Sequence, residues 1–290
     1  HTYSYPRIVK MIDLQCHTTA SDGELSQTEI VDLAIKRGIK ALAITDHDTI
    51  EGVDSAIDNA INKNIEIVSG IEIECNEYKY GFQKVDILGL LIDYRHKSMV
   101  DFTEKVKVER INQKKEIIKK LNNIGFDITF EEVSSIVKGS FGRPHVAKIL
   151  LSKYPKEFTS IRDVFDKYLG ENKSAYAERK NKVPLKQAVN LIKKSGGIPV
   201  LAHPGIFKKE DSVELIDIFI DAGGEGIETY YQYYIICPDL KIDKVGNNNM
   251  INFYKRIAKS KKLLESGGSD FHGSYRDTMG VTYIPYKVLE

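Results

Sequence analysis

Short apolar runs, each followed by a segment with helical spacing, recur from Met11 to Ile92 and resume after Pro184. This alternation constrains the fold more than any other feature. Apolar runs bounded by turn residues read as buried strands, and strands separated by helices pair in parallel. The runs are Met11–Gln15, Lys40–Thr45, Ile65–Glu74, Lys84–Ile92, Ile198–Ala202, Gly226–Thr229 and Leu263–Gly267. Between them, helices are predicted over Thr28–Arg37, Val53–Asn62, a stretch ending at Lys194, Val213–Ala222 and Met250–Lys261. Gly38 and Gly196-Gly197 supply stops, and Asn247-Asn248-Asn249 reads as a loop. Repeated units of this kind build an α/β fold with a parallel sheet or barrel.

The pattern breaks from Lys97 to Leu169, where no strand is evident. Val100–Ile124 reads as one long charged helix, and Phe130–Val137, His145–Leu151 and Ile161–Tyr168 as shorter ones. The expected organisation is a barrel from 11–96 and 175–290, interrupted by a helical insertion at 97–174. The 290 residues suffice for one large core plus an appendage. A net charge of +1 gives no global attraction to nucleic acid or membrane. No run approaches the roughly 18 apolar residues of a membrane span, and His1–Lys10 lacks an apolar signal core. The first ten residues read as leader or added sequence with Met11 as the natural start, and Leu289-Glu290 as vector-derived. Cys16, Cys75 and Cys237 lie far apart without CxxC spacing, so no disulfide scaffold or zinc knuckle is expected. Cys16 reads as a small buried side chain. The expected location is the cytoplasm, with no membrane contact and no obligate protein partner.

Of seven histidines, His17, His47, His145, His203 and His272 follow a predicted strand or sit in a special turn. The loops after barrel strands form the working face. Gln15-Cys16-His17 ends the first strand, Asp46-His47-Asp48 the second, Glu72 and Glu74 the third; Asp86 lies in the fourth. His203-Pro204 and Asp270-Phe271-His272 end later ones. Imidazoles and carboxylates together ligate Zn, Mn or Fe. Alternate residues at a strand end share a face, so Gln15 and His17, or Asp270 and His272, can address one ion. Such ions attract anionic substrates and acidify water.

The motifs Asp13-Leu-Gln-Cys-His17 through Gly23 and Ile44-Thr-Asp-His-Asp-Thr49 resemble the PHP (polymerase and histidinol phosphatase) superfamily. Ser69-Gly-Ile-Glu-Ile73, Arg143-Pro-His145, Leu201-Ala-His-Pro-Gly205 and Gly268-Ser-Asp-Phe-His272 match its later motifs in order. Spacing and insertion are similar to phosphoesterases acting on nucleoside 3′,5′-bisphosphates and RNA 5′ ends. The resemblance implies a distorted (β/α)7 PHP barrel holding two or three divalent ions. It assigns Gln15, His17, Glu72 and Asp270 to a first metal, and Glu72, Asp86 and His145 to a second. Asp22, His47 and His272 fall to a third. His203 resembles a ligand or phosphate contact, Arg143 a phosphate clamp and Lys173 a weaker one. Gln15 stands where the family has histidine, so a loosely held first ion is expected. Asp86 also replaces histidine, favouring harder ions such as Mn or Fe.

Plainer readings accompany these. Asp22 fits a turn, Glu74 a solvent-facing group, and Asp46 or Asp48 an orienting carboxylate for an imidazole. His96 reads as surface, the helix around Lys105–Lys120 as a wet face, and Tyr230-Tyr231-Gln232-Tyr233-Tyr234 as a loop packed on the barrel. The expected activity is hydrolysis of a phosphomonoester on a nucleotide or small phosphorylated metabolite, with short RNA as a further partner. Metal-activated water attacks phosphorus, and His203, Arg143 and Asp270 are the expected catalytic residues. The alternatives are a histidinol-phosphate-type phosphatase, a phosphodiesterase, or a nucleotide-binding protein with a degenerate site.

Overall fold

Eight strands join in one mixed sheet in the computed structural model, which describes residues 10–137, 141–178 and 183–289. The expectations for His1–Val9 and Glu290 lie outside the described residues. The strands are β1 (Met11–Asp13), β2 (Ile39–Ile44), β3 (Glu66–Glu77), β4 (Phe82–Leu90), β5 (Val183–Pro184), β6 (Ile198–Leu201), β7 (Gly226–Tyr230) and β8 (Leu264–Gly267). Their order is β1-β2-β3-β4-β6-β7-β8, with the two-residue β5 on β3. No sequence signal marked β5.

Most neighbours are parallel, but β4 runs antiparallel to both β3 and β6. The expectation of a parallel sheet or barrel holds for the strands on either side of β4 and not for β4 itself. The β3–β4 link is one turn, Tyr78–Tyr80, closed by Gly81 at φ +80°. A link that short reverses the chain, whereas parallel return needs a crossover of about a dozen residues or more.

The two ends of the strand order meet. Leu14 N–H donates to Gly267 O (3.0 Å), Asp270 N–H to Gln15 O (2.9 Å) and His17 N–H to Phe271 O (2.9 Å). These bonds join the extensions of β1 and β8. They place residues 15–17 beside 268–272.

Strand alternation divides the core. Ala41 and Ala43 pack with Ile12, Leu14, Val68 and Leu88. Leu42 and Ile44, on the other face, pack on Ile30, Val31 and Ala34 of α1 (Gln27–Lys36) and Val53 of α2 (Val53–Ala60). Beyond β4 come α3 (Lys97–Asn123), α4 (Phe130–Ser134), α5 (Arg143–Lys153) and α6 (Ile161–Val164), the last continued by a π turn over Phe165–Leu169. Ile117, Leu121, Val133, Val146, Leu150 and Leu169 form a separate apolar cluster, while Met99 of α3 packs with the sheet. Thus α3 belongs to both.

After β5 follow α7 (Leu185–Lys194), α8 (Lys209–Asp221), α9 (Tyr233–Ile236) and α10 (Lys244–Lys261). The asparagine triplet lies inside α10, not in a loop. Asp243 caps the helix by accepting from Gly246 N–H (2.8 Å), and buried Asn247 donates to Tyr231 O (3.0 Å). Tertiary hydrogen bonds override the weak helix propensity of Asn here. Among the described residues, no helix is long and apolar enough to cross a membrane.

Candidate metal centre

Residues just beyond β1, β2 and β8 and within β3 and β4 supply the side chains. His17 is fully buried. Its Nε2 lies 3.0 Å from Glu72 Oε2 and 3.1 Å from Asp270 Oδ1. His47 Nδ1 is 3.4 Å from the same Glu72 oxygen. His272 Nε2 lies 3.4 Å from Asp22 Oδ1, and the His17 and His272 rings stack at 4.0 Å. Three donor groups result: His17, Glu72 and Asp270; His47, Glu72 and Asp86; and His17, Asp22, His47 and His272.

His17 Nδ1 is buried without a hydrogen-bond partner, while its Nε2 faces the Glu72 and Asp270 oxygens just described. Buried polar atoms are rarely left so. Nitrogen and carboxylate donors converging on these atoms fit divalent cations of the Mn, Fe or Zn kind.

The electrostatics agree. Burial opposes charge on His17, yet hydrogen bonds and charge from Asp270 and Glu72 raise its pKa well above the ordinary value. Burial likewise opposes the Glu72 and Asp270 carboxylates, but the facing histidines hold both well below the usual range, with Arg276 helping at Asp270. Asp86 is pushed upward by burial and by Glu72. His203, 3.2 Å from Glu72 Oε1 and 3.8 Å from Asp86 Oδ2, is raised to about 9 because these contacts outweigh its burial.

Other residues with predicted roles make the following contacts. Gln15 donates through Nε2 to Glu72 Oε1 (2.9 Å), and its Oε1 is buried without a partner. Arg143 donates to Leu169 O (3.0 Å) and lies over the Phe165 and Tyr176 rings, within the insertion. Half-buried His145 caps its own helix, accepting at Nδ1 from Gly142 N–H (3.1 Å), and joins none of the three donor groups. Lys173 is exposed on the insertion. Asp46 accepts from Thr18 N–H (2.7 Å) and Ser21 Oγ (2.5 Å), and Asp48 pairs with Arg110 (2.7 Å). These carboxylates fix the loop after β1 and helix α3.

Sequence reading missed four contributors. Tyr231 Oη donates to Asp270 Oδ2 (2.6 Å), and Arg276 Nη1 to the same oxygen (2.8 Å). Asp13 is buried, its pKa raised to about 6 by burial against bonds from Ser269. Glu228 is buried, and burial pushes it well above the carboxylate range. A charged residue inside an apolar strand was the available signal for Asp13 and Glu228. Arg276 carried none.

A cavity of about 550 Å³ adjoins this centre and shares His47 with it. Ala20 and Asp48 to Glu51 line one side; Tyr94, Arg110, Ile111, Phe130 and Phe141 line the other.

The sequence profile of the PHP domain matches residues 13–196. A 5′-3′ exoribonuclease of Haemophilus influenzae is 33% identical over 267 residues, covering 91% of each chain. A 3′,5′-nucleoside bisphosphate phosphatase of Chromobacterium violaceum is 29% identical, covering 90% of this chain and 87% of its own. Among solved structures, a C. violaceum amidohydrolase with bound sulfate superposes with TM-score 0.76 at 28% identity, covering 96% and 92%. A Bifidobacterium adolescentis protein described as a metal-dependent phosphoesterase gives TM-score 0.78 at 24% identity, covering 99% and 96%.

Proposed function

This chain belongs to the PHP domain family and is a metal-dependent phosphoesterase, and from that premise we propose that it removes a phosphate monoester from a mononucleotide of the 3′,5′-bisphosphate kind. The carrying observation is the cavity that shares His47 with the donor cluster. A phosphate at the cluster leaves the rest of the substrate in that cavity. Its aromatic and aliphatic lining suits a nucleobase.

Charge favours a small substrate over a long RNA. The lining holds three cations, Arg95, Lys107 and Arg110, against four carboxylates, Asp48, Glu51, Asp54 and Glu104. Each cation is paired: Arg95 with Asp54 (2.6 Å), Lys107 with Glu51 (2.6 Å) and Arg110 with Asp48 (2.7 Å). A polyanion binds through many unpaired cations and released counterions, and among the described residues this lining offers no such track.

His17, Glu72 and Asp270 would hold one cation, Glu72, His47 and Asp86 a second, and Asp22, His47 and His272 a third. His145 and Gln15 remain ligand candidates from the family pattern. Cations there supply positive charge for phosphate oxygens and lower the pKa of a water nucleophile. The chain's own residues do the rest. Gln15 and His203 orient Glu72, and Tyr231 and Arg276 fix Asp270. Protonated His203 holds a proton for the leaving oxygen. Arg143 and Lys173, carried by the insertion 97–174, are the family-pattern contacts for phosphate.

A panel of esters tests this reading, with metal content measured alongside. It comprises a 3′,5′-bisphosphate, a 5′-monophosphate, histidinol phosphate, a cyclic phosphate and a 5′-phosphorylated short RNA. Preferred phosphate release from the bisphosphate is expected. Turnover of the RNA or the cyclic diester alone would overturn the substrate assignment. Tightly bound ions without any turnover would establish a binding protein.

A further inference from the structure

We propose that Glu228 is a positioning residue for His203, holding the His203–Pro204 turn so that the imidazole reaches Glu72 and Asp86. The proposal rests on reading the centre as that of a phosphoesterase.

The turn is conformationally unusual. His203 has φ +27° and ψ 56°, in the left-handed region that side chains with a β-carbon seldom enter. Pro204 follows directly and biases the preceding residue toward extended backbone. Such strain persists only where surroundings over-determine it. Here three contacts do so. Ala202 N–H donates to Asp86 O (3.0 Å), and Gly205 N–H donates to Tyr233 Oη (2.9 Å). Between them, His203 N–H donates to Glu228 Oε2 at 2.8 Å.

Glu228 is the informative member of this set. It sits on β7, fully buried, and its other oxygen has no hydrogen-bond partner. A buried carboxyl group with one satisfied oxygen destabilises a fold, and an apolar side chain of similar volume would pack there at lower cost. What the carboxyl supplies is an acceptor at the strained amide. Through that amide it sets the ring of His203 against the two carboxylates of the metal centre. A role in folding alone predicts lost stability with kcat unmoved, whereas a positioning role predicts a fall in kcat that only loss of the acceptor brings.

The test compares E228Q, which keeps an acceptor oxygen, with E228L, which keeps volume and loses it. Expected for E228Q is a kcat within about twofold of the parent. Expected for E228L is a kcat lower by about 10- to 100-fold, with KM within about threefold. Bound metal is unchanged, and the melting temperature falls by no more than about 10 °C, as for one unpaired buried amide. In an H203A background, E228L adds no further loss. Hydrogen exchange of the His203 amide in the metal-free protein reads the same contact without turnover. It is protected in the parent and E228Q and at least about tenfold faster in E228L. That measurement decides the proposal even if the parent hydrolyses no ester on the panel. Unchanged protection in E228L, a parental kcat in E228L, or an equal loss in the H203A background would each overturn it. Glu228→Met repeats the contrast should E228L fail to fold; collapse of both would show a structural role instead.

Discussion

At the residue scale, buried His17 sets the expectations for the centre, with Nδ1 unpartnered and Nε2 against two carboxylates. Such a group contributes to ion binding, not to packing alone. His17→Ala and Asp270→Ala are each expected to lose bound metal and to lower kcat by at least about 10³-fold, equivalent to about 4 kcal/mol. Metal analysis with phosphate release checks this, and full activity in either variant would refute the site. Gln15 presents an amide donor to Glu72, and a neutral amide oxygen ligates weakly. Gln15→His is expected to raise the number or affinity of bound ions, read by calorimetric titration with Mn and Zn.

The shifted groups also fix a pH dependence for the metal-free protein. His17 and His203 have raised values, so their contribution is full below about 6.5 and fades as pH rises through the folded values. Glu72 and Asp270 have lowered values, so theirs is full above about 4.5 and fades as pH falls. These four groups contribute most between about pH 4.5 and 6.5, whereas the raised carboxyls of Asp13, Asp86 and Glu228 cost stability as pH rises above about 4, so the melting temperature of chelated protein should fall from about pH 6.5 toward pH 8. A steady rise through pH 8 would contradict the assignment. Metal loading must expel the His17 proton, so affinity should increase with pH.

At the element scale, the seam between the extensions of β1 and β8 carries the centre. Gly268 sits in it, and a β-carbon there would lie 2.3 Å from Gln15 Cβ and 2.5 Å from Gln15 N. Gly268→Ala must therefore push the two extensions apart. Its expected result is a loss of about 1–3 kcal/mol of stability with weakened metal binding. Denaturant unfolding and metal analysis measure both. Helix α3 and the residues leading into it are tied to residues 48–54 by three ion pairs, of which Arg110–Asp48 is the most buried. Arg110→Ala should cost about 2 kcal/mol, more than either exposed pair. Much of this layer was legible: α1, α2 and most strands fall within a few residues of the hydrophobic pattern. The two-residue β5 and the start of α10 were not, because each depends on a partner distant in sequence; the direction of β4 was missed although the short Tyr78–Tyr80 link dictates it.

At the scale of the whole molecule, bound ions should stabilise the fold by mass action. At about 100 times Kd the gain is about 2.7 kcal/mol, so chelation should lower the melting temperature by several degrees. With a net charge of +1 and a cavity of paired charges, kcat/KM for a mononucleotide should vary little with salt. A steep salt dependence would instead indicate a polyanionic substrate.

The sequence by itself determined the alternation of strands and helices, the break at Lys97 and the identity of the polar groups at strand ends. These are local signals: hydrophobic period, turn residues, and charged groups placed where apolar runs stop. Only the tertiary structure decided which of those groups meet. It brings His17, Glu72 and Asp270 within about 3 Å of one another's donors because the strand order bends until β1 and β8 join. It leaves Arg143 and His145 engaged with their own insertion, and recruits Tyr231 and Glu228, whose partners lie far along the chain, together with Arg276 from the loop after β8. Convergence is a property of the closed sheet, and no spacing along the chain encodes it.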